Sequence, residues 1–252
     1  MTDLMQRFTT DAQPGHPNLA PKDAATLILL DRSGPQPKVL MGKRRDDLVF
    51  MPGKFVFPGG RVDPADRKMT AGAKLDPRTE QKLMQHVKRP SAGKAQALAL
   101  AAIRETFEET GLFLGQKRDS APKAPAGPWQ AFAEANIHPD LSSVHFIARA
   151  ITPPRRSRRY DTRFFLAAMP EGQVADDATS EADVARWAGA ADALVAWSDG
   201  KHFLLPPTWS QLTEVARFDT VDELLAAERT IETIEPEVSA GHGLSGLSFS
   251  GS

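Results

Sequence analysis

The stretch Arg104-Glu105-Thr106-Phe107-Glu108-Glu109-Thr110-Gly111 closes a helical run that starts near Lys94. Gly111 suits the left-handed position that ends a helix. At about 100° per residue, Leu100, Ile103 and Phe107 form an apolar stripe. Glu105, Glu108 and Glu109 fall within an arc of about 100° on the other side, at i, i+3, i+4 spacing. Ala101 and Ala102 precede them on that face, small enough to let another group approach. Three ionised carboxylates so close repel: at roughly 4 Å and an effective dielectric near 20, each pair costs about 4 kcal/mol. On a solvated face the repulsion fades, and the segment is then a charged surface with an Arg104–Glu108 pair. In a cleft it calls for a cation, and oxygen-only donors favour Mg²⁺ or Mn²⁺.

Around this helix the chain reads as α/β. Ala24–Leu30 and the run from Lys38, separated by a turn cluster at 31–35, predict a hairpin. A short strand is expected at Phe55-Val56-Phe57, and further strands at 144–151, 160–168 and 184–187. Helices are expected at 78–87, 129–135, 190–197, 208–218 and 221–229. Residues 1–21 read as a flexible lead-in, 22–230 as the domain, and 231–252, Gly/Ser-rich from Ser239, as a flexible tail.

Composition narrows the chemistry. With 252 residues and no cysteine, the chain has room for a sizeable core but no thiolate nucleophile, thiolate metal site or disulfide. A net charge of −1 gives no global attraction to nucleic acid or anionic membrane. No apolar run reaches the roughly 20 residues of a membrane span, and residues 1–11 lack a signal-peptide core, so a cytoplasmic location is the default expectation.

Residues 104–105, 108–109 and 111–112, with Phe57-Pro58-Gly59-Gly60 upstream, resemble the Nudix signature G-x₅-E-x₇-R-E-U-x-E-E-x-G-U, where U is apolar. Thr106 replaces an apolar residue, and Asp66 stands at the position of the first Glu. Residues 61–103 lie between Gly60 and Arg104, about 30 more than the signature holds, which is similar to a Nudix subgroup with an interrupted box. The stretch Arg158–Phe165 and Leu205-Pro206-Pro207 add to that likeness. The resemblance implies a Nudix-type α/β/α sandwich with a mixed sheet and an insertion, about 67–93, inside the box. It implies Glu105, Glu108 and Glu109 as ligands of Mg²⁺ (or Mn²⁺), joined by a backbone carbonyl at Gly59 or Gly60. Arg104 would brace the carboxylates, with Asp66 as its acidic partner.

The implied partner is a small-molecule nucleotide substrate cut at a diphosphate bond. Leu40, Arg44, Gly53 and residues 57–60 fit a pattern attached to coenzyme A-cleaving members, whereas Gly42, Arg45 and Val49 depart from it. Coenzyme A or its acyl derivatives lead; ADP-ribose- or NADH-type diphosphates stay open, as does a nucleotide-binding module without catalysis. Arg44, Gly59, Gly60 and Arg159, the last from the basic run 155–159, are the candidate substrate contacts, although such a run also suits a solvated hairpin tip. Met41, Phe50 and Met51 suit a pocket or the core. The insertion, rich in Lys and Arg, is expected at the cleft mouth and to be removable without loss of the fold. Oligomeric state stays open, a homodimer included.

Overall fold

The computed structural model describes residues 17–44, 53–175, 182–202, 204–231 and 233–234. Its centre is a mixed sheet. The two longest strands, β1 (Lys22–Asp31) and β8 (Tyr160–Ala168), run parallel, with Lys22 opposite Tyr160 and Leu30 opposite Ala168. β2 (Lys38–Arg44) returns antiparallel to β1 as the predicted hairpin. β3 (Phe55–Val56) and β9 (Ala182–Gly189) add to β2, β7 (His145–Ile151) adds to β8, and β10 (Thr233–Ile234) adds to β7. β4 (Gly59–Arg61) pairs with β1. A separate two-stranded ribbon joins β5 (Gly115–Lys117) and β6 (Ile137–Pro139).

Alternation along β1 builds a core on each face: Ala25, Leu27 and Leu29 join one, Ile28 and Leu30 the other. A sheet covered on both sides reads as an unbroken apolar run, which is why β1 was legible. Met41, a pocket candidate, is 3% exposed in the second core, while Phe50 and Met51 lie outside the described residues. Helices α1 (Pro77–Met84), α2 (Ala92–Thr110) and α3 (Trp129–Glu134) lie on the first face. On the second are α4 (Ala190–Ser198), α5 (Pro206–Val215) and α6 (Val221–Ala226). The result is the expected α/β/α sandwich.

Caps explain the helix limits. Asp76 accepts from the N–H groups of Arg78 and Thr79, so Pro77 begins α1 as its first residue rather than breaking it. Ser91 caps α2, which ends at Gly111 with φ 71°. The two-faced reading of α2 does not hold for its middle turns. Every residue from Ala97 to Arg104 is buried, Ala101 and Ala102 included. The reason is the insertion. Met69, Leu75 and Leu83 pack into the first core together with Trp129 and Phe132, covering the outer side of α2. The insertion is therefore not a removable excursion, because cutting out 68–92 would strip core residues worth about 2–5 kcal/mol each. Its Arg67, Lys68, Lys74, Arg78, Lys88 and Arg89 remain exposed.

Candidate functional site

The loop and helix of the split box meet at two glycines. β4 lies so close to β1 that a Cβ on Gly59 would sit 2.6 Å from the carbonyl oxygen of Ala25. At Gly60 a Cβ would fall 2.5 Å from the carboxyl group of Glu105. Glycine is required at 59, where the neighbour is backbone; at 60 a side chain would push the Glu105 carboxyl from its place. Glu105 thus lies over the Gly60 backbone, and Glu109 Oε1, one turn later, accepts from the Gly59 N–H at 3.3 Å. The Glu105 side chain is 17% exposed. Burial pushes its pKa above the usual carboxylate range; Arg104 opposes the rise, and the charges of Glu108 and Asp66 add to it.

Arg104 is the hub behind these carboxylates, and its five N–H groups all find acceptors. Nε donates to Asp66 Oδ1 at 2.8 Å. Nη2 donates to Asp66 Oδ2 at 3.1 Å and to the Arg61 carbonyl at 2.9 Å. Nη1 donates to Glu105 Oε1 at 2.8 Å and Glu108 Oε2 at 2.6 Å. Burial disfavours the guanidinium charge, but the Asp66 bond and the three nearby carboxylates outweigh it, and its pKa rises. Thr106, in an apolar signature position, is fully buried and satisfies its hydroxyl on the Ala102 carbonyl at 2.8 Å.

The three helix carboxylates are not gathered round one point. Glu105 and Glu108 share Arg104 Nη1, Glu105 and Glu109 face the glycine loop, and among the described residues no three acidic or histidine side chains converge on a metal-sized site. The Arg104 guanidinium lends positive charge to Glu105 and Glu108 alike.

Arg159 is also corrected. Its Nε donates to the Thr152 carbonyl and Nη1 to Asn18 Oδ1 and the Leu19 carbonyl, at 2.7–2.9 Å. It is 9% exposed and ties residues 18–19 to the β7–β8 connection rather than presenting a fork to a phosphate. A charge run in a sequence does not reveal such carbonyl partners. Arg44 lies in β2, paired with Ala182, and its side chain is outside the described residues, as are Arg45 and Val49.

Two features escaped the sequence reading. Trp129 donates its indole N–H to Asp66 Oδ1 at 3.0 Å, a contact across 63 residues with no local pattern to announce it. Arg163, 1% exposed, centres a second ion network with Asp161 at 2.7 Å and Asp23 at 3.3 Å. Arg149 joins it with bonds to both oxygens of Asp161 at 2.7 Å. Beyond the end of α2, an open groove is lined by Leu40, Met169, Val174, Ala185 and Trp187. On its wall Gln173 bonds both the N–H and the carbonyl of Phe113, tying the groove to the segment leaving α2.

Comparison with known proteins agrees with this geometry. The family model described as the NUDT19 Nudix domain matches residues 21–218. Acyl-coenzyme A diphosphatase NUDT19 of Xenopus laevis is 25% identical, over 85% of this chain and 74% of the relative. The human protein of that name is 25% identical over 91% and 70%. A putative nudix hydrolase 7 of Caenorhabditis elegans is 26% identical over 78% of this chain and 61% of its own. Among solved structures, a Nudix hydrolase from Alicyclobacillus acidocaldarius superposes with a TM-score of 0.66 and 27% identity, covering 83% of this chain and 97% of that one. The chain is a hydrolase of the Nudix family, in the group represented by the NUDT19 Nudix domain.

Proposed function

We propose that the enzyme is a divalent-metal-dependent diphosphatase whose substrate is coenzyme A or an acyl-coenzyme A. The observation that carries the metal reading is the placement of Glu105 and Glu109 on the backbone of Gly59-Gly60. A largely buried carboxylate and a second one a turn later, both against a glycine backbone, form an oxygen-only donor set. Two carboxylates suit Mg²⁺, which keeps several waters and takes its remaining ligands from substrate phosphates. Glu105 and Glu109 would hold the ion, with a carbonyl of Gly59 or Gly60. When bound, such an ion neutralises the diphosphate and acidifies an attacking water.

The chain's own residues do the rest. Arg104 fixes the carboxyl plane of Glu105 and keeps Glu108 beside it. The absent Cβ atoms at Gly59 and Gly60 let β4 lie against β1 and the Glu105 carboxyl lie over the backbone. In this reading water attacks one phosphorus directly, its oxygen stays on that phosphate, and the bridging oxygen leaves with the other product. The products are 3′,5′-ADP and a 4′-phosphopantetheine species. The names of the relatives and the partial motif at Leu40, Arg44, Gly53 and 57–60 support this substrate. The groove at Trp187, which pairs apolar side chains with Asp31 and Gln173, offers a place for the pantetheine–acyl arm and its amides. No described helix is long and apolar enough to cross a membrane.

The test is hydrolysis with Mg²⁺ or Mn²⁺ of coenzyme A, acyl-coenzyme A, ADP-ribose and NADH, with products identified by mass in ¹⁸O-labelled water. One ¹⁸O enters one product per turnover. A kcat/KM tenfold higher for ADP-ribose or NADH overturns the coenzyme A reading. Nucleotide binding with no turnover of any substrate overturns the enzymatic one.

A further inference from the structure

The Asp66 carboxylate is fully buried and receives four N–H groups. Arg104 Nε and Trp129 Nε1 reach Oδ1 at 2.8 and 3.0 Å, and Arg104 Nη2 and the Asp63 backbone N–H reach Oδ2 at 3.1 and 2.8 Å. A carboxylate has about four acceptor sites, so this one is filled. Asp66 also stands where the signature carries the longer glutamate. With no exposed surface here, an added methylene would have to displace a neighbour. The neighbours on Oδ1 are Arg104 Nε and the indole of Trp129, itself 0% exposed.

Trp129 is anchored independently of Asp66. Its ring meets Phe132 at 4.9 Å, and Phe132 meets Phe107 at 5.3 Å and Phe113 at 4.9 Å. Phe107 lies within α2, between Glu105 and Glu108, and Phe113 just beyond it. The same aromatic group therefore touches the acidic end of α2 and holds the acid that orients Arg104.

We propose that Trp129 is a positioning residue: with Asp66 it forms a matched pair that replaces the single glutamate of the signature and sets the Arg104 guanidinium plane, and through it Glu105 and Glu108. The short acid leaves room for the indole, and the indole N–H fills the acceptor position that faces it. This rests on the reading of the box as a metal-dependent hydrolase.

The experiment compares Trp129→Phe with Phe132→Leu, which loosens the same aromatic cluster but removes no hydrogen bond. Trp129→Phe is expected to lower kcat five- to twentyfold with KM within twofold. It should weaken Mn²⁺ binding at least threefold in equilibrium dialysis without substrate, and speed exchange of the Arg104 Nε–H in ¹⁵N NMR of the metal-free protein. Phe132→Leu should lower the melting temperature and, since the indole hydrogen bond survives, change kcat, Mn²⁺ affinity and Arg104 exchange by less than half as much as Trp129→Phe. Asp66→Glu in the Trp129→Phe background should regain at least half the lost kcat, because the vacated indole edge admits the extra methylene. Equal behaviour of Trp129→Phe and Phe132→Leu in all three readouts overturns the proposal, as does a double variant worse than either single one. A wild-type protein that neither binds Mn²⁺ nor hydrolyses any substrate defeats the functional reading instead, while Arg104 exchange still tests the pairing.

Discussion

Two buried arginines on the same face of the sheet do opposite things with charge. Around Arg104 stand Asp66, Glu105 and Glu108, three acids to one base, and all five N–H groups are used. Around Arg163 stand Asp161 and Asp23, with Arg149 bonded to the first and Lys94 to the second, three bases to two acids. Arg163 Nη2 is buried with no hydrogen-bond partner. The first cluster has negative charge to spare and its Glu108 side chain is 34% exposed. The second has positive charge to spare, and its Asp23 and Lys94 side chains are each 27% exposed. Satisfaction of the arginine and access to water thus do not mark the site; the sign of the surplus does. A cation can relieve the first cluster and would worsen the second. The Arg163 cluster clamps the edge of the fold where β1, β7 and β8 meet, and Arg149 also bonds the His86 carbonyl of the insertion.

The sharpest way to break this contrast is to remove the acid at the centre of the Arg163 cluster. Asp161→Ala leaves two buried guanidinium groups without their main counter-charge. Removing one partner of a buried pair costs about 3–5 kcal/mol. Chemical denaturation should show that loss, while kcat and metal requirement per folded molecule stay within twofold. A tenfold fall in kcat in folded Asp161→Ala would join the two clusters into one functional unit.

The mirror experiment acts on the other cluster. Glu109→Gln keeps shape and can still accept from the Gly59 N–H, but removes charge. It is expected to lower kcat at least about a hundredfold, or roughly 2.7 kcal/mol in the barrier. Metal-free melting temperature should stay level or rise, because like-charge repulsion is relieved. Full activity with a sharp loss of stability would make the acidic helix end a structural surface.

These contrasts show what the sequence could and could not reveal. Arg104, Glu105 and Glu109 were legible because signature spacing along one helix is local. The strands β1, β2, β7 and β8 were legible from apolar runs, and the end of α2 from Gly111. β4 was not, since Gly59 and Gly60 have no strand propensity and pair with β1 only because a missing Cβ permits the approach. The all-round burial of α2 depends on Met69, Leu75 and Leu83 of an insertion whose polar composition reads as surface. Arg159 looked like a phosphate fork because its carbonyl partners at residues 18, 19 and 152 leave no mark in a charge run. Trp129 and Arg163 act over long separations, where single-sequence patterns carry nothing.

The two clusters should also respond to pH with opposite signs. Burial would raise the Asp161 carboxyl, but bonds from Arg149 and the charges of Arg163 and Arg149 outweigh it and hold the pKa below its ordinary value. Its stabilisation is present above that ordinary value, near 3.9, and is lost as pH falls through the lower folded one. Glu105 is raised, so its ionisation weakens the metal-free fold as pH climbs from the ordinary carboxylate range through the folded value. Each proton is worth at most about 1.4 kcal/mol per pH unit. Denaturation of metal-free wild type against Asp161→Ala and Glu105→Gln between pH 3 and 7 checks both signs. Asp161→Ala should flatten the acid limb, and Glu105→Gln should remove the decline on the neutral side. The same slope in all three proteins would assign the pH dependence to other groups.

The smallest expected effect lies in the groove beyond α2. Trp187 is partly buried in the first core and also lines the groove, paired with Leu40 across β2 and β9. Removing its ring takes apolar contact area from any uncharged arm lying there, on the order of 1 kcal/mol, or about fivefold in binding. That area is present in ground and transition states alike, so the change should appear in KM rather than kcat. If the groove receives the pantetheine–acyl arm, Trp187→Ala should raise KM for an acyl-coenzyme A about fivefold and leave KM for ADP-ribose, which lacks that arm, within twofold. Gln173→Ala offers a second reading of the same surface, because it frees the Phe113 backbone and loosens the groove from the end of α2. A rise in kcat-linked metal requirement with that variant, and no change in acyl preference, would show the groove wall serving the Glu105–Glu109 end of the helix instead of the substrate's arm.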